Sequence, residues 1–297
     1  MGFGSVHNAF AQGTKTAGGV DVDGTWYAGE GLKKGDYFVY RLCELDLNDC
    51  APFDMKMWVR GETTKGTETL WDFEVVVIDG SKIVKGDMQV GKTAPEPVGE
   101  SEDLFYYSRA YRSSIVWLSA FATGNLDDLI HGPQAFRDPA WGKVGAIGGS
   151  QLIPFRAETV TVPAGTFDTV VVGWYSGIDN EIWIKDDFPF PVKALAYAWV
   201  TTGIAPVMYE FELLEYKENV NSSPFADVVS TVEEKELLGC PEFYDYVSRV
   251  VEATNTFSMI IEYNYGPENP MPGCEIEWKI NFKNKFNQVE FVDQVHY

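Results

Sequence analysis

The sequence predicts a mainly β, α+β protein: an antiparallel sheet packed against one buried helix, followed by a second, partial β-rich domain. Three observations carry this. Aromatic residues make up 14% of the 297 residues and include nine Trp, a composition that suits half-buried pleated surfaces. Runs of β-branched and aromatic residues recur at short spacing from Asp36 to Val90, separated by turn residues, the pattern of a meander. One stretch, 104–122, instead places apolar residues three and four apart, the period of a helix.

Taken in chain order, Thr25–Ala28, Asp36–Glu44 and Asp54–Arg60 read as strands. Leu70–Ile78 and Lys82–Val90 flank Asp79-Gly80, a hairpin signal. Pro-rich 94–99 breaks the sheet. Ser101 followed by Glu102 and Asp103 is a helix start, and Leu104, Tyr107, Tyr111, Ile115, Leu118 and Ala122 form one apolar face that runs towards Gly124. Phe105, Tyr106, Trp117 and Phe121 lie off that face, so the helix is apolar nearly all round and is expected to be buried against the sheet. After a mixed stretch to Gly149, strands resume at Gln151–Phe155, Glu158–Val162, Phe167–Trp174, Glu181–Lys185, Val192–Thr201 and Met208–Tyr216.

The expected organisation is residues 1–11 as the remainder of a signal peptide, 12–23 as a flexible leader, 24–216 as the sheet domain, 217–224 as a polar linker, and 225–297 as a truncated second domain. Within the last part, Ala226–Leu238 and Glu242–Ala253 read as helical. Phe257–Tyr265, Glu275–Phe282 and Gln288–His296 read as strands.

Charge and cysteine content bear on location. Forty-four acidic residues against 23 basic give a net charge of −21, which argues against nucleic acid or anionic lipid as partner. No apolar run reaches the roughly 20 residues of a membrane span. Ala9-Phe10-Ala11 has the small-x-small pattern of a signal-peptidase site. Four cysteines, Cys43, Cys50, Cys240 and Cys274, allow three disulfide pairings, of which 43–50 with 240–274 is the simplest. Asn221-Ser222-Ser223 is a glycosylation sequon. Together these predict an extracellular or cell-surface (envelope) protein.

Glu158 to Lys193 resembles a known pattern. The run Glu158-Thr-Val-Thr-Val-Pro-Ala-Gly-Thr-Phe-Asp-Thr-Val-Val-Val172, followed by Trp183, Asp187, Pro189, Pro191, Val192 and Lys193, is similar to a signature of LolA-like carrier folds and their exported relatives. The chain as a whole also resembles exported archaeal surface proteins. The resemblance implies an open, strongly curved antiparallel sheet wrapped around the helix, with a hydrophobic cavity. Pro163 and Gly165 also have a purely structural use, since proline presets a turn and glycine tolerates positive φ.

Catalytic machinery is sparsely supplied. Three His residues make an imidazole-based metal site or a Ser-His-Asp triad a poor fit, and there is no phosphate-binding loop or dinucleotide fingerprint. No cofactor is expected. The oxygen clusters Asp21 with Asp23 and Asp46 with Asp49 are the calcium candidates, although neither fits the twelve-residue calcium loop. Asp186-Asp187 reads as solvated turn residues. Tyr107, Tyr111, Ile115 and Leu118 on the helix, facing Trp174, Trp183, Tyr197 and Trp199, are the candidate wall of an apolar cavity. The leading expectation is a non-catalytic surface protein that binds an apolar small molecule or an envelope protein. A structural or adhesive surface component and a secreted hydrolase are the alternatives.

Overall fold

The computed structural model describes residues 19–127, 131–145 and 149–231, and four strands beyond them. Two compact units divide after Val232.

The first unit is built on an open sheet of 11 antiparallel strands. Strands β2 (Tyr37–Glu44), β3 (Phe53–Lys65), β4 (Glu68–Asp79), β5 (Lys82–Gly91) and β6 (Pro97–Glu100) step outwards to one edge. Helix α1 (Phe105–Ser113) and a 3-10 turn at Trp117–Ala120 follow. The chain then crosses to the opposite edge. There β8 (Gly142–Val144), β9 (Ser150–Val162), β10 (Gly165–Tyr175), β11 (Asp179–Ile184), β12 (Lys193–Tyr197) and β13 (Val207–Lys217) step back until β13 pairs with β2. A separate pair joins β1 (Thr25–Trp26) to β7 (Gln134–Ala135).

The turns follow their residues. Gly66 and Gly80, at φ 65° and 58°, open two-residue loops between β3 and β4 and between β4 and β5. The last pair of the second hairpin is Asp79 with Lys82, so the turn is Gly80-Ser81, one residue later than the Asp79-Gly80 signal suggested. Pro163-Ala164 connects β9 to β10, with Gly165 at φ 144° paired to Val162. The two strands expected between Gln151 and Val162 form a single one. The expected Val192–Thr201 strand stops at Tyr197.

Alternation along the central strands fixes two cores. Phe38, Tyr40, Leu42, Met55, Met57 and Val59 point to the inner core. Tyr37, Val39 and Trp58 point to the outer face, where a smaller cluster forms with Val76 and Phe225. The segment 217–231 covers that outer face. Trp58 Nε1 donates to Val220 O at 2.9 Å, Lys85 Nζ to Phe225 O at 2.7 Å, and the backbone N–H of Lys85 to Ser230 Oγ at 2.9 Å. The first unit thus runs through 217–224, and the division falls after Val232. Residues 226–231 of the expected first C-terminal helix are turn and extended chain, and 232–238 lie outside the described residues.

The helix is shorter than its periodicity predicts. All six residues of the apolar face, Leu104 to Ala122, are buried, but regular helix ends at Ser113. The hydroxyls of Ser113 and Ser114 both donate back to Ala110 O, and β-branched Ile115-Val116 follows; both features weaken a helix interior. Burial all round is also not found, since Phe105 and Tyr106 are 45% and 41% exposed. Tyr107 packs on Phe53, Tyr111 on Phe190 and Trp117 on Trp174, so the crossing segment touches both halves of the sheet. Among the described residues, no helix is long and apolar enough to cross a membrane.

Cys43 is disulfide-bonded to Cys50. Cys240 and Cys274 lie outside the described residues, as do 1–18. In the second unit, β14 (Tyr246–Ala253) pairs with β15 (Thr256–Tyr263), and β16 (Glu277–Lys283) with β17 (Val289–His296). The expected helix at Glu242–Ala253 is therefore a strand over 246–253. Its Tyr, Val and Val-Val content favours pleated pairing with the β-rich segment that follows.

Candidate functional site

A cleft of about 300 Å³ opens on the inner face of the first unit, lined by Ser113, Trp117, Val144, Trp174, Ala198, Trp199, Met208 and Tyr209. Six elements position these side chains, with Ser113 at the end of α1 and Val144 at the end of β8. Trp174 is the penultimate residue of β10. Met208 and Tyr209 lie near the start of β13. Trp117 opens the 3-10 turn and packs edge-on against Trp174, with ring centroids 5.3 Å apart. Trp199 lies in the connection from β12 to β13, which closes through the bond from Ala198 N to Pro206 O at 2.9 Å.

Asn180 holds this arrangement from beneath. It is fully buried, and its Nδ2 lies within 3.1–3.3 Å of Trp174 O, Ser176 Oγ and Ile178 O. Its Oδ1 accepts from the backbone N–H of Tyr197 at 2.7 Å. One side chain therefore fixes the end of β10, the turn after it and the entry to the Trp199 connection. A register shift at Ala196–Tyr197 re-aims the strand there.

Two polar atoms of the lining residues set this site apart. Trp174 and Tyr209 are each 1% exposed. Trp174 Nε1 and the Tyr209 hydroxyl are buried and make no hydrogen bond of normal geometry, although Trp117 stands beside the hydroxyl. Burial holds the Tyr209 phenol well above its usual pKa, so it is neutral across the physiological range. Trp183 Nε1 is also without a partner, but Trp183 does not line the cleft; Lys193 stands over its ring at 5.4 Å.

Of the residues expected to wall a cavity, the fold brings Trp174 and Trp199 to this cleft. Tyr107, Tyr111, Ile115 and Leu118 sit in the solid core, at 0–3% exposure. The hydroxyl of Tyr107 donates to Asp79 Oδ2 and that of Tyr111 to Pro95 O, at 2.8 and 2.9 Å. Tyr197 is half-buried at the end of β12. The cleft residues that sequence reasoning missed are Ser113, Trp117, Val144, Ala198, Met208 and Tyr209. Trp117 and Met208 were already visible as apolar residues; nothing in the sequence brings Val144 or Tyr209 beside Trp174.

The calcium candidates are placed differently. Asp21 and Asp23 pair with Arg137, at 3.0 and 2.8 Å. Asp46 and Asp49 are exposed within the loop closed by the disulfide. The fold instead assembles Glu30, Asp186 and Asp187, whose carboxylate oxygens lie within 4.8 Å of one another, an oxygen set of the kind hard cations take. Burial first, then the charges of Asp186 and Asp187, push the Glu30 carboxyl up to about 7.

The P-A-G-T-F-D and D-x-P-x-P-V-K segments serve the framework. Trp26 Nε1 donates to Phe188 O at 2.7 Å, Tyr40 Oη to Pro191 O at 2.9 Å, and Gly29 N to Pro189 O at 2.7 Å.

No family model matches the chain, and no curated protein matches it. Two solved structures are similar over 65% of this chain and the whole of theirs. One is a proposed lipoprotein from Parabacteroides distasonis, at 12% identity and TM-score 0.30. The other is a proposed exported protein with a YmcC-like fold from Bacteroides fragilis, at 10% identity and TM-score 0.31. Neither is described as a LolA-type carrier or is archaeal, and at this level of similarity neither description carries across to this chain.

Proposed function

We propose that this protein is a non-catalytic, exported module that holds a small apolar molecule in the aromatic cleft. One observation carries the reading: Trp, Tyr and Met side chains leave a cleft of about 300 Å³, and the buried indole N–H of one lining residue, Trp174, has no hydrogen-bond partner. Buried polar groups are nearly always hydrogen-bonded, and a concave, mostly apolar site with a few polar groups is the usual form of a small-molecule pocket. The volume lies at the lower end of the roughly 300–1,000 Å³ typical of such sites, so the occupant is small.

A non-catalytic role is supported by the lining itself, in which Tyr209 is the single ionisable residue. It is held neutral by burial, and the hydroxyl of Ser113 at the cleft is engaged by Ala110 O and Glu44. Export is supported by the Cys43–Cys50 disulfide, since such bonds persist in oxidising compartments, and by the Ala9-Phe10-Ala11 pattern.

The test is native mass spectrometry of protein purified from its own envelope and medium fractions, followed by solvent extraction. The expected result is protein in those fractions carrying one species of defined mass, lost in Trp199→Ala/Met208→Ala. Recovery from the cytosol would overturn the location. Protein free of any bound species, with an unchanged mass in the double variant, would overturn the binding role.

A further inference from the structure

We propose that one end of the sheet, formed by the β10–β11 and β12–β13 connections, is a docking surface for a membrane of neutral, zwitterionic lipid. The proposal stands on these two loops and does not depend on whether the cleft holds a ligand.

The sequence sets the loops apart first. In a chain with 44 acidic and 23 basic residues, residues 169–178 and 194–209 carry no charge at all. Each run spans a hairpin connection, the first between β10 and β11 and the second between β12 and β13. These four strands are neighbours in antiparallel order, so both connections lie at the same end of the sheet. Asn180 ties them together: its Nδ2 donates to Ile178 O at 3.1 Å, and its Oδ1 accepts from the backbone N–H of Tyr197 at 2.7 Å. The side chains at the tips are large, apolar and in solvent. Ile204 is 97% exposed, Tyr175 59%, Trp199 57%, Ile178 37% and Val200 36%. A single exposed apolar residue needs no explanation, but five gathered on two uncharged loops at one end do.

Extent and charge choose the occupant. The tips expose Tyr175, Gly177, Ile178, residues 199–204 and Pro206, about half or less of the roughly 20–30 residues a side that a stable protein interface takes. They also offer no charged group to fix a protein partner's register. A bilayer asks for less. Trp and Tyr favour the boundary between headgroups and water, and aliphatic side chains gain by leaving water beneath it. Ser176, Thr201 and Thr202, which lie between them, bring no charge into that layer. The surround then selects the lipid. Asp179 follows Ile178 and Glu210 follows Tyr209. The disulfide loop, whose Leu45 N–H donates to Met208 O at 2.8 Å, carries Asp46 and Asp49. Of the cations on neighbouring elements, Arg109 interacts with Glu44 and Lys143 stands on edge strand β8, so acidic groups outnumber basic ones around the tips. A surround of that sign repels anionic headgroups and suits the outward ammonium of a zwitterionic one.

The test is flotation of the full chain with vesicles of phosphatidylcholine and, separately, of phosphatidylglycerol. The expected result is co-flotation with phosphatidylcholine and weaker binding to phosphatidylglycerol at low salt. Ile204→Asp should lower the partition into phosphatidylcholine about tenfold, the loss of one buried aliphatic side chain. Leu126→Asp makes the same charge change at a side chain that is 79% exposed and should leave the partition unchanged. It lies two residues after Gly124, whose N–H donates to Thr93 O beyond the far end of β5. Ile204 does not line the cleft, so Ile204→Asp keeps any species bound there and the two readings fail separately. Should Ile204→Asp not fold, Ile178→Asp takes its place. Failure of the parent protein to float with phosphatidylcholine, an equal loss in Leu126→Asp, or tighter binding to phosphatidylglycerol would each overturn the proposal. Concentration-dependent self-association of the parent without flotation, abolished in Ile204→Asp, would assign the loops to an interface between copies and overturn the lipid reading.

Discussion

The inner face of the sheet holds two aromatic clusters of similar composition and burial, and they differ in how their polar atoms are satisfied. Around α1, the hydroxyls of Tyr40 and Tyr111 donate to Pro191 O and Pro95 O, each at 2.9 Å. The indoles of Trp26 and Trp141 are bonded to Phe188 O and Ala135 O, at 2.7 and 2.9 Å. A few residues further along the same face, Trp174 and Tyr209 are equally buried and have no such partners. In the first cluster, Phe188, Pro191 and Pro95 lie outside the strands and present their carbonyls to three of these rings. The second borders the cleft. The difference teaches that aromatic content and burial do not by themselves decide how a polar atom is satisfied; the Trp183 indole, buried away from the cleft, is unpartnered too.

The largest effect that would sharpen this contrast is cavity formation. Phe190 is fully buried and packs edge-on against Phe38 and Tyr111. Phe190→Ala is expected to destabilise the protein by about 3–5 kcal/mol. Trp199→Ala removes a side chain that is mostly exposed and is expected to change stability by less than about 0.5 kcal/mol, although it opens the cleft that the ring lines. Chemical denaturation of both variants checks this. A Trp199→Ala loss comparable to that of Phe190→Ala would mean that the cleft end is solid core, as the α1 end is.

A finer comparison uses the hydroxyls alone. Tyr111→Phe leaves Pro95 O buried without its donor and is expected to cost about 1–2 kcal/mol. Tyr209→Phe removes a hydroxyl that makes no bond of normal geometry, so its cost is expected to be near zero, with a slight gain equally consistent, because a desolvated polar group is lost. Equal losses in the two variants would show that the Tyr209 hydroxyl is satisfied in the free protein, and would weaken the argument for a ligand there.

These two clusters also show what could be read from residues in advance. Strands were legible where period-two patterning and turn glycines coincide, as from Asp36 to Val90, because both signals are local. The buried stripe from Leu104 to Ala122 was legible as burial but not as helix length, since its period says nothing about the Ser113-Ser114 and Ile115-Val116 steps that end the helix. The covering strap at 217–231 was announced indirectly. Tyr37, Phe38, Val39 and Tyr40 form a continuous apolar run, which means that both faces of β2 are buried, and one of those faces needed a cover from elsewhere. Its polar sequence made it read as a linker, because its contribution is backbone and hydroxyl hydrogen bonds with Phe225 as the one large anchor. The cleft was half-legible. Trp174 and Trp199 could be picked as large aromatics, whereas their company with Tyr209 and Val144 depends on edge strand β8 and central strand β13 lining the same cleft, which no local signal encodes.

The smallest expected effect concerns a buried polar atom that can respond in a way the indole and the phenol cannot. Glu30 Oε2 is buried without a hydrogen-bond partner, but a carboxylate in that position can take up a proton. Its carboxyl titrates near 7 in the folded protein instead of the ordinary 4.5, chiefly through burial and then through Asp186 and Asp187. The folded state therefore holds more protons than the unfolded state between about pH 4.5 and pH 7, so stability falls as pH rises through that window and levels off above it. Asp36, held near 6 mainly by burial, acts in the same direction, so the parent profile alone does not isolate Glu30. The difference between the parent and Glu30→Gln does. The amide cannot ionise, and the variant should lose the part of the slope that reaches up to pH 7. Above that pH it should be more stable by on the order of 1 kcal/mol once partial solvent screening is allowed for, a rise in Tm of about 2–4 °C. Thermal unfolding of both proteins from pH 4 to 8 measures this. Parallel profiles would mean that the Glu30 carboxylate is satisfied when ionised, and that an unpartnered buried oxygen in this protein need not indicate an unmet demand; the reading of Trp174 and Tyr209 would then rest on the shape of the cleft alone.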